Sequence, residues 1–341
     1  MTDMDLLPRL DGRRVAVTGA TGHLGANLVP LLLSRGARIC CLTRDNTAAL
    51  QGLDVEQRPG DVREPETLRR AFEGAEIVFH LAARISITGG QGGLVSAVNV
   101  EGARQAAQAA RAAGARRFVH VSSVHAFDHG DPAAPLTEEA PRPTPRHPAY
   151  DRSKAAGEAA VREVGADGSL EVVVANPSGI LGPNDHQPSR MGQVLLDLFH
   201  RRLPALTPGG FDWVDARDVA GALVALSERG RPGEGYLLGG RWCSMRGVAE
   251  AAAEVTGVPA PRWDAPAWLA TATAPLVAWV TGLLGKEPLY TPEALHAVFK
   301  GSRDIRSDKA ARELGFRCRP LADTLRDTYA WFEAAGRLRR G

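Results

Sequence analysis

Cysteine is scarce: four residues in 341, at positions 40, 41, 243 and 318. The adjacent pair lies inside an apolar run that reads as a buried strand, so a reduced, cytoplasmic setting fits better than a disulfide frame. An excess of charge of either sign is also missing, since 41 Lys and Arg against 39 Asp and Glu leave a net +2. No dense basic block occurs, which argues against a nucleic-acid partner. There is no internal repeat, and no cysteine or histidine spacing points to a metal. The opening stretch MTDMDLLPRLDGRR lacks the charged-then-apolar order of a secretory signal. Only one long apolar run is present, WLATATAPLVAWVTGLL at 268–284. It contains Pro275 and reaches about the lower length limit for a membrane span. It reads as a helix packed within the second half of the chain, with a lid or membrane-surface element as the alternative. No span is expected, and peripheral contact is left open.

What is present is the composition of a globular enzyme, 44% hydrophobic and 23% charged, in a chain long enough for one large α/β domain and a smaller lobe. Short β-branched runs at 13–18, 38–43, 54–58, 76–81, 116–121 and 170–175 alternate with helical stretches near 23–35, 65–73, 92–113 and 150–164. That alternation predicts an α/β fold with a doubly wound parallel Rossmann sheet. From about residue 176 the pattern becomes mainly helical, with helices near 189–202, 217–228, 244–256, 265–284, 291–299, 307–313 and 321–336. The division is therefore a nucleotide-binding domain over 1–175 and a substrate-binding lobe over 176–341, some segments of which return to the sheet.

After the first strand stands Thr18-Gly19-Ala20-Thr21-Gly22-His23-Leu24-Gly25. Residues without a β-carbon let backbone N–H groups approach a pyrophosphate, and the following helix N-terminus adds its positive dipole end. The spacing differs from G-x-G-x-x-G, so a glycine-rich turn without a ligand is the competing reading. At the end of the second strand Arg44 occupies the place where an acidic residue takes the ribose hydroxyls in an NAD site. A guanidinium there matches a 2′-phosphate and favours NADP. Asp45 follows at once, so a one-residue shift restores an NAD-type carboxylate, and a solvated loop arginine is the plain alternative.

The fifth strand ends in Val121-Ser122-Ser123, at the sheet edge where ligands bind in such folds. Tyr150 and Lys154 follow at i and i+4 on the next helix and share a face. An ammonium beside a phenol lowers its pKa from about 10. Tyr150 can then pass a proton to or from a carbonyl oxygen that Ser123 holds, while a nicotinamide exchanges hydride at the carbon. Alone, Y-x-x-x-K is a weak signal, common by chance on solvated helix faces; its position behind a phosphate loop and a strand-end serine pair gives it weight.

With these pieces in order the chain resembles the extended short-chain dehydrogenase/reductase family of the NAD-dependent epimerase/dehydratase superfamily, over nearly its whole length. The matching stretches are TGATGHLG at 18–25, GDV at 60–62, HLAA at 80–83, NVEG at 99–102, HVSS at 120–123, YDRSK at 150–154 and NPSGILGP at 176–183. The resemblance implies that Asp61 and Val62 flank the adenine and that Leu81, Ala82, Ala83, Val121 and Ser122 line the cofactor. It also implies that Pro177, Ser178, Gly179 and Ile180 meet the nicotinamide carboxamide. On the same resemblance Asn99 would support a catalytic set of Ser123, Tyr150 and Lys154, and Lys154 could also bind the nicotinamide ribose.

Departures narrow the branch. Val124 and His125 stand where sugar dehydratases carry an acidic pair, which argues against dehydration. Gly209-Gly210-Phe211-Asp212-Trp213 lacks the arginine with which sugar epimerases meet a pyrophosphate, and Asn176 replaces an arginine before the later proline. What remains looks like the dihydroflavonol-reductase-like and 3β-hydroxysteroid-dehydrogenase-like branch. The expected activity is NADP-dependent reduction of a hydrophobic or aromatic ketone or aldehyde, a secondary metabolite or a sterol-like molecule. An NAD-dependent nucleotide-sugar epimerase and a non-catalytic cofactor-sensing protein are the alternatives. Trp213, Trp242, Trp263, Trp268 and Phe211 suit either an apolar pocket or core packing. His125 reads as facing the pocket or as packed, and His186, Arg190, Arg201 and Arg202 are candidates for an anionic substrate group. By analogy with the family, a homodimer forms through helices 92–113 and 150–164.

Overall fold

The computed structural model describes residues 7–283 and 291–338, without the side chains of 276–283. Expectations touching residues 1–6 and 284 lie outside it. The inner strands of the first half are buried on both faces between two helix layers, whereas the edge strand β3, Glu-Gln-Arg-Pro, is largely exposed. They are β1 (Arg14–Thr18), β2 (Arg38–Thr43), β3 (Glu56–Pro59), β4 (Ile77–His80), β5 (Arg117–Val121) and, after the short β6 (Pro135–Leu136), β7 (Glu171–Pro177). Between them run α1 (His23–Ser34), α2 (Pro65–Ala71), α3 (Leu94–Ser96), a π-turn (Ala97–Gly102), α4 (Ala103–Ala112) and α5 (Ala149–Val164).

The second half supplies β8 (Gly179–Leu181), α6 (Arg190–Phe199), β9 (Gly210–Asp215), α7 (Ala216–Arg229), β10 (Gly235–Leu238) and β11 (Arg241–Ser244). It continues with α8 (Met245–Thr256), α9 (Ala267–Leu283), α10 (Pro292–Lys300), β12 (Asp304–Ile305), α11 (Asp308–Leu314) and α12 (Leu321–Ala334). The main sheet is the expected doubly wound one, with seven parallel strands in the order β10-β7-β5-β4-β1-β2-β3. Its seventh strand, β10, comes from the second half of the chain and pairs with β7.

The period of two along each strand divides the core. Val15, Val17, Ile77, Phe79 and Val119 face α1, α7 and α11, while Ala16, Val78, Phe118 and Val172 face α2, α4 and α5. Phe79 and Phe118 are fully enclosed, and each such burial stabilises by roughly 2–3 kcal/mol before ordering costs. A third core lies beyond the carboxyl ends of the strands, where α6, α8 and α12 cover the three-stranded sheet β11-β9-β8 through Leu195, Phe199, Trp213, Val248 and Phe332. Strand order reverses at β1 and β4, so a crevice opens there between the sheet edge and this lobe.

Candidate active site

A cavity of about 730 Å³ fills that crevice. Its floor at β1 is the glycine loop. Gly19 holds φ +71°, and a β-carbon there would meet the Ala82 nitrogen at 2.7 Å, so only glycine lets this turn close against the next strand end. Gly22 caps α1 with no side-chain hydrogen bond, leaving the first-turn N–H groups of the helix turned to the cavity, where Gly19, Gly22, His23, Leu24 and Gly25 form the wall. His23 Nε2 lies 3.0 Å from the Gly182 carbonyl and ties this helix to the lobe. Leu81 and Ala83 flank the loop from β4, Val121 and Ser122 from β5, and Pro177, Ser178, Gly179 and Ile180 from β7 and β8. Ser122 Oγ is buried and has no hydrogen-bond partner among the described residues. An uncapped helix end, a loop stripped of β-carbons and an unpaired hydroxyl in one apolar crevice fit a dinucleotide.

Thr21, Ala82, Arg44, Asp61 and Val62 are not in that wall. Arg44 is exposed at the end of β2 and Asp61 follows β3, its neighbour in the sheet. Asp61 is held in a bidentate pair by Arg63, at 3.0 and 2.9 Å, and its carboxyl lies below the usual range, chiefly because of Arg63 and with Arg44 adding a smaller effect. Arg63 was not singled out from the sequence, although the D-x-R spacing was there to read.

The residues expected to form the catalytic set also line the crevice. Tyr150 and Lys154 rise from the first turns of α5 and Ser123 from the end of β5, and all three reach the cavity. Lys154 is 4% exposed and donates from Nζ to the Val121 carbonyl at 2.9 Å. Burial draws its pKa down to about 8, against the pull of Glu158 one turn on. The lysine was expected to lower the tyrosine pKa. Instead burial, followed by the Asp151 carboxylate, pushes the Tyr150 phenol well above its ordinary 10, and the Ser123 hydroxyl pulls the other way. At neutral pH Tyr150 is therefore a phenol and Lys154 an ammonium, one helical turn apart on α5.

Asn99 stands behind this set rather than in the cavity. Its Nδ2 donates to Arg84 O at 3.0 Å and Ser153 Oγ at 2.9 Å, and its Oδ1 accepts from Arg84 N at 2.7 Å. Ser153 Oγ in turn donates to the Tyr150 carbonyl at 2.7 Å. The π-turn makes this possible by pushing the Asn99 carbonyl at α5; a β-carbon on Gly157 would lie 2.3 Å from that oxygen.

A second support was not foreseen. Glu158 is fully buried, forms an ion pair with Arg142 at 3.0 Å, and accepts from Arg162 at 2.8 Å and from the Asn176 amide, whose Nδ2 also donates to the Ser123 carbonyl at 3.1 Å. Asn176 thereby ties the serine strand to the helix of the tyrosine and lysine, and two arginines from elsewhere balance the carboxylate where the family has its arginine beside the proline.

The rim carries more titratable groups. His125 lines the cavity, its Nδ1 3.1 Å from Asp151 Oδ1 and its ring edge-on to Tyr150 at 5.7 Å. His147, in the proline-rich approach, is 3.2 Å from Asp128 and also lines the rim. Of the residues considered for an anionic group only Arg190 reaches this cavity; His186 packs edge-on to Trp331, and Arg201 and Arg202 are exposed past α6. Phe211 and Trp213 form part of the wall, whereas Trp263 and Trp268 are exposed.

Comparison with known proteins agrees with this layout. The pattern of the "NAD dependent epimerase/dehydratase family" matches residues 15–239. The chain is similar to "Sterol demethylase protein B" of Methylococcus capsulatus, 36% identical over 94% of this chain and 99% of that one. It is also similar to a "Putative dihydroflavonol 4-reductase" of Synechocystis, 30% identical over 94% of each. The crystal structure of gox2253 superposes with a TM-score of 0.82 at 32% identity, covering 96% of this chain and all of the other.

Proposed function

The chain belongs to the NAD dependent epimerase/dehydratase family, and on that footing we propose that it is an NADP-dependent reductase of a hydrophobic, sterol-like ketone or aldehyde. The observation that carries the reading is that Tyr150, Ser123 and Lys154 line one cavity with the glycine loop. The names of two relatives, one a sterol demethylase protein and one a reductase, support the substrate class.

The glycine loop and α1 would hold the cofactor pyrophosphate, Arg44 the 2′-phosphate, Asp61 and Val62 the adenine, and Lys154 the nicotinamide ribose. A bound nicotinamide would supply hydride to the carbonyl carbon. Ser123 Oγ donates to the carbonyl oxygen and orients it, and Tyr150 Oη gives that oxygen its proton as it becomes an alkoxide. The ammonium of Lys154 stabilises the phenolate left behind. The lobe closes the crevice and keeps water from the reacting carbon. Asn99 and Asn176 keep α5 and the serine strand in register. A cytoplasmic homodimer, paired through α4 and α5, completes the reading.

Tyr150→Phe tests it. Turnover of NADPH with hydrophobic carbonyl compounds should fall by a factor of about 10²–10⁴, with cofactor affinity retained in a fluorescence titration. Undiminished turnover in the Phe variant would falsify the acid assignment. Cofactor retained through purification, with no net change in nicotinamide absorbance during turnover, would point instead to the epimerase reading.

A further inference from the structure

Helix α9 has neither an acidic nor a basic residue in its first or last turn, and its sequence, AWLATATAPLVAWVTGL, has none between. Such a helix is normally buried on all sides. Here Ala267, Trp268, Leu269, Thr271, Ala272, Thr273 and Pro275 are exposed, and among its first nine residues only Ala274 is buried. Trp268 is 71% exposed and Trp263, in the turn before the helix, 74%. Water is a poor neighbour for such a surface, since monomers rarely expose a contiguous apolar patch of this kind.

We propose that α9 and the Trp263 turn dock on an anionic lipid bilayer. Four observations favour lipid over a protein partner. The hydroxyls of Thr271 and Thr273 donate back to Ala267 O and Leu269 O, both at 2.8 Å, so they need no outside partner and the helix offers methyl groups outward. Two exposed indoles, at the turn and in the first turn of the helix, have the amphipathic shape that settles at the headgroup level. Arg262 is exposed next to Trp263, and among the described residues it has no carboxylate at ion-pair distance, which leaves a cation on this face to meet lipid phosphates. Finally, the 17 described residues of the helix span roughly 25 Å, and no helix among the described residues is long and apolar enough to cross a membrane, which suits contact at the surface.

The base of this surface is firm. Leu206 N donates to Trp263 O at 3.0 Å and Ala265 N to Leu206 O at 2.8 Å, fixing the turn to the lobe. Helix α9 packs on α10, whose Leu295 and Val298 face the cavity, and Ile85, 56% exposed, stands in the same cavity wall. A docked bilayer would thus lie next to the helix that walls the cavity, so an apolar substrate could pass from lipid to site along apolar side chains.

Flotation of the full chain with vesicles tests the proposal without reference to turnover, so its failure and that of the reductase reading are separable. The protein should rise with phosphatidylcholine/phosphatidylglycerol vesicles, and less with phosphatidylcholine alone or in high salt. Trp268→Glu combined with Leu269→Glu should reduce the bound fraction about tenfold or more, with melting temperature and elution volume unchanged. Arg262→Glu, a surface charge reversal, should weaken binding to the mixed vesicles only. The proposal is overturned if the wild type stays unbound with both vesicles, or if the double variant binds like the wild type. It is equally overturned if the double variant only shifts the elution volume from dimer to monomer, since α9 would then join two copies of the chain.

Discussion

Replacing Lys154 by Met should make the cofactor-free protein more stable while abolishing its chemistry. The ammonium is buried, and its pKa falls from 10.5 to about 8 because burial disfavours the charge more than Glu158 favours it. The folded-state value lies below the unfolded one, so between about pH 8 and 10.5 the unfolded chain holds more protons and stability rises with pH across that window. Below pH 8 both states carry the proton and the whole penalty stands; at about 1.36 kcal/mol per pKa unit it amounts to ~3 kcal/mol. Met keeps the stem volume and removes the charge, but gives up the bond to the Val121 carbonyl, which offsets roughly 1.5 kcal/mol. Glu158 remains balanced by Arg142, Arg162 and Asn176. The net gain at neutral pH is then ~1–2 kcal/mol, readable as a higher midpoint in urea unfolding of the cofactor-free proteins. At about pH 10.5 the wild type no longer bears the penalty, and the advantage of Met should vanish or reverse. Carbonyl turnover should fall at least about a hundredfold in the same variant. A Met variant less stable than the wild type at neutral pH, or a gain equal at both pH values, would refute the reasoning, because the lysine would not then be held against a desolvation cost.

Two further outcomes follow from the same geometry. Arg44→Ala should lower kcat/KM for NADPH about 10- to 100-fold, as loss of a charged hydrogen-bond pair does, and leave NADH nearly unchanged; an equal fall with both would remove Arg44 from cofactor choice. Asp151→Asn removes the second cause of the raised Tyr150 pKa, so the phenol should ionise at lower pH. Since Tyr150 must be protonated to act as donor, the alkaline loss of reduction rate should move to lower pH, and a pH–rate profile with an unmoved alkaline limb would mean that this carboxylate does not reach the phenol.

How much of this was readable from the sequence depended on range. The glycine loop, the strand-end serines and the Tyr150–Lys154 pair are each local, written within a few residues, and strands alternating between two cores follow directly from their apolar runs. The expected strands and helices accordingly fall within a residue or two of those observed through β7. The Glu158 clamp was not legible because its members are brought together only when β7 lies beside α5: Asn176 is eighteen residues from Glu158, and Arg142 sixteen before it. The π-turn at 97–102 was hidden for a different reason, since its residues suit an ordinary helix and only the approach of α5 at Gly157 calls for the bulge.

The sign of the Tyr150 shift shows the same limit in energetic terms. A neighbouring cation can be read from spacing, but desolvation cannot, because it belongs to the whole enclosure; here it is the larger cause, and it raises the phenol pKa that the lysine was expected to lower. Helix α9 presents the converse case. Its composition predicts burial, and burial needs a covering partner that composition cannot name. Tryptophans left outside, threonine hydroxyls turned back on their own helix and Arg262, which has no carboxylate at ion-pair distance among the described residues, favour a surface both apolar and anionic.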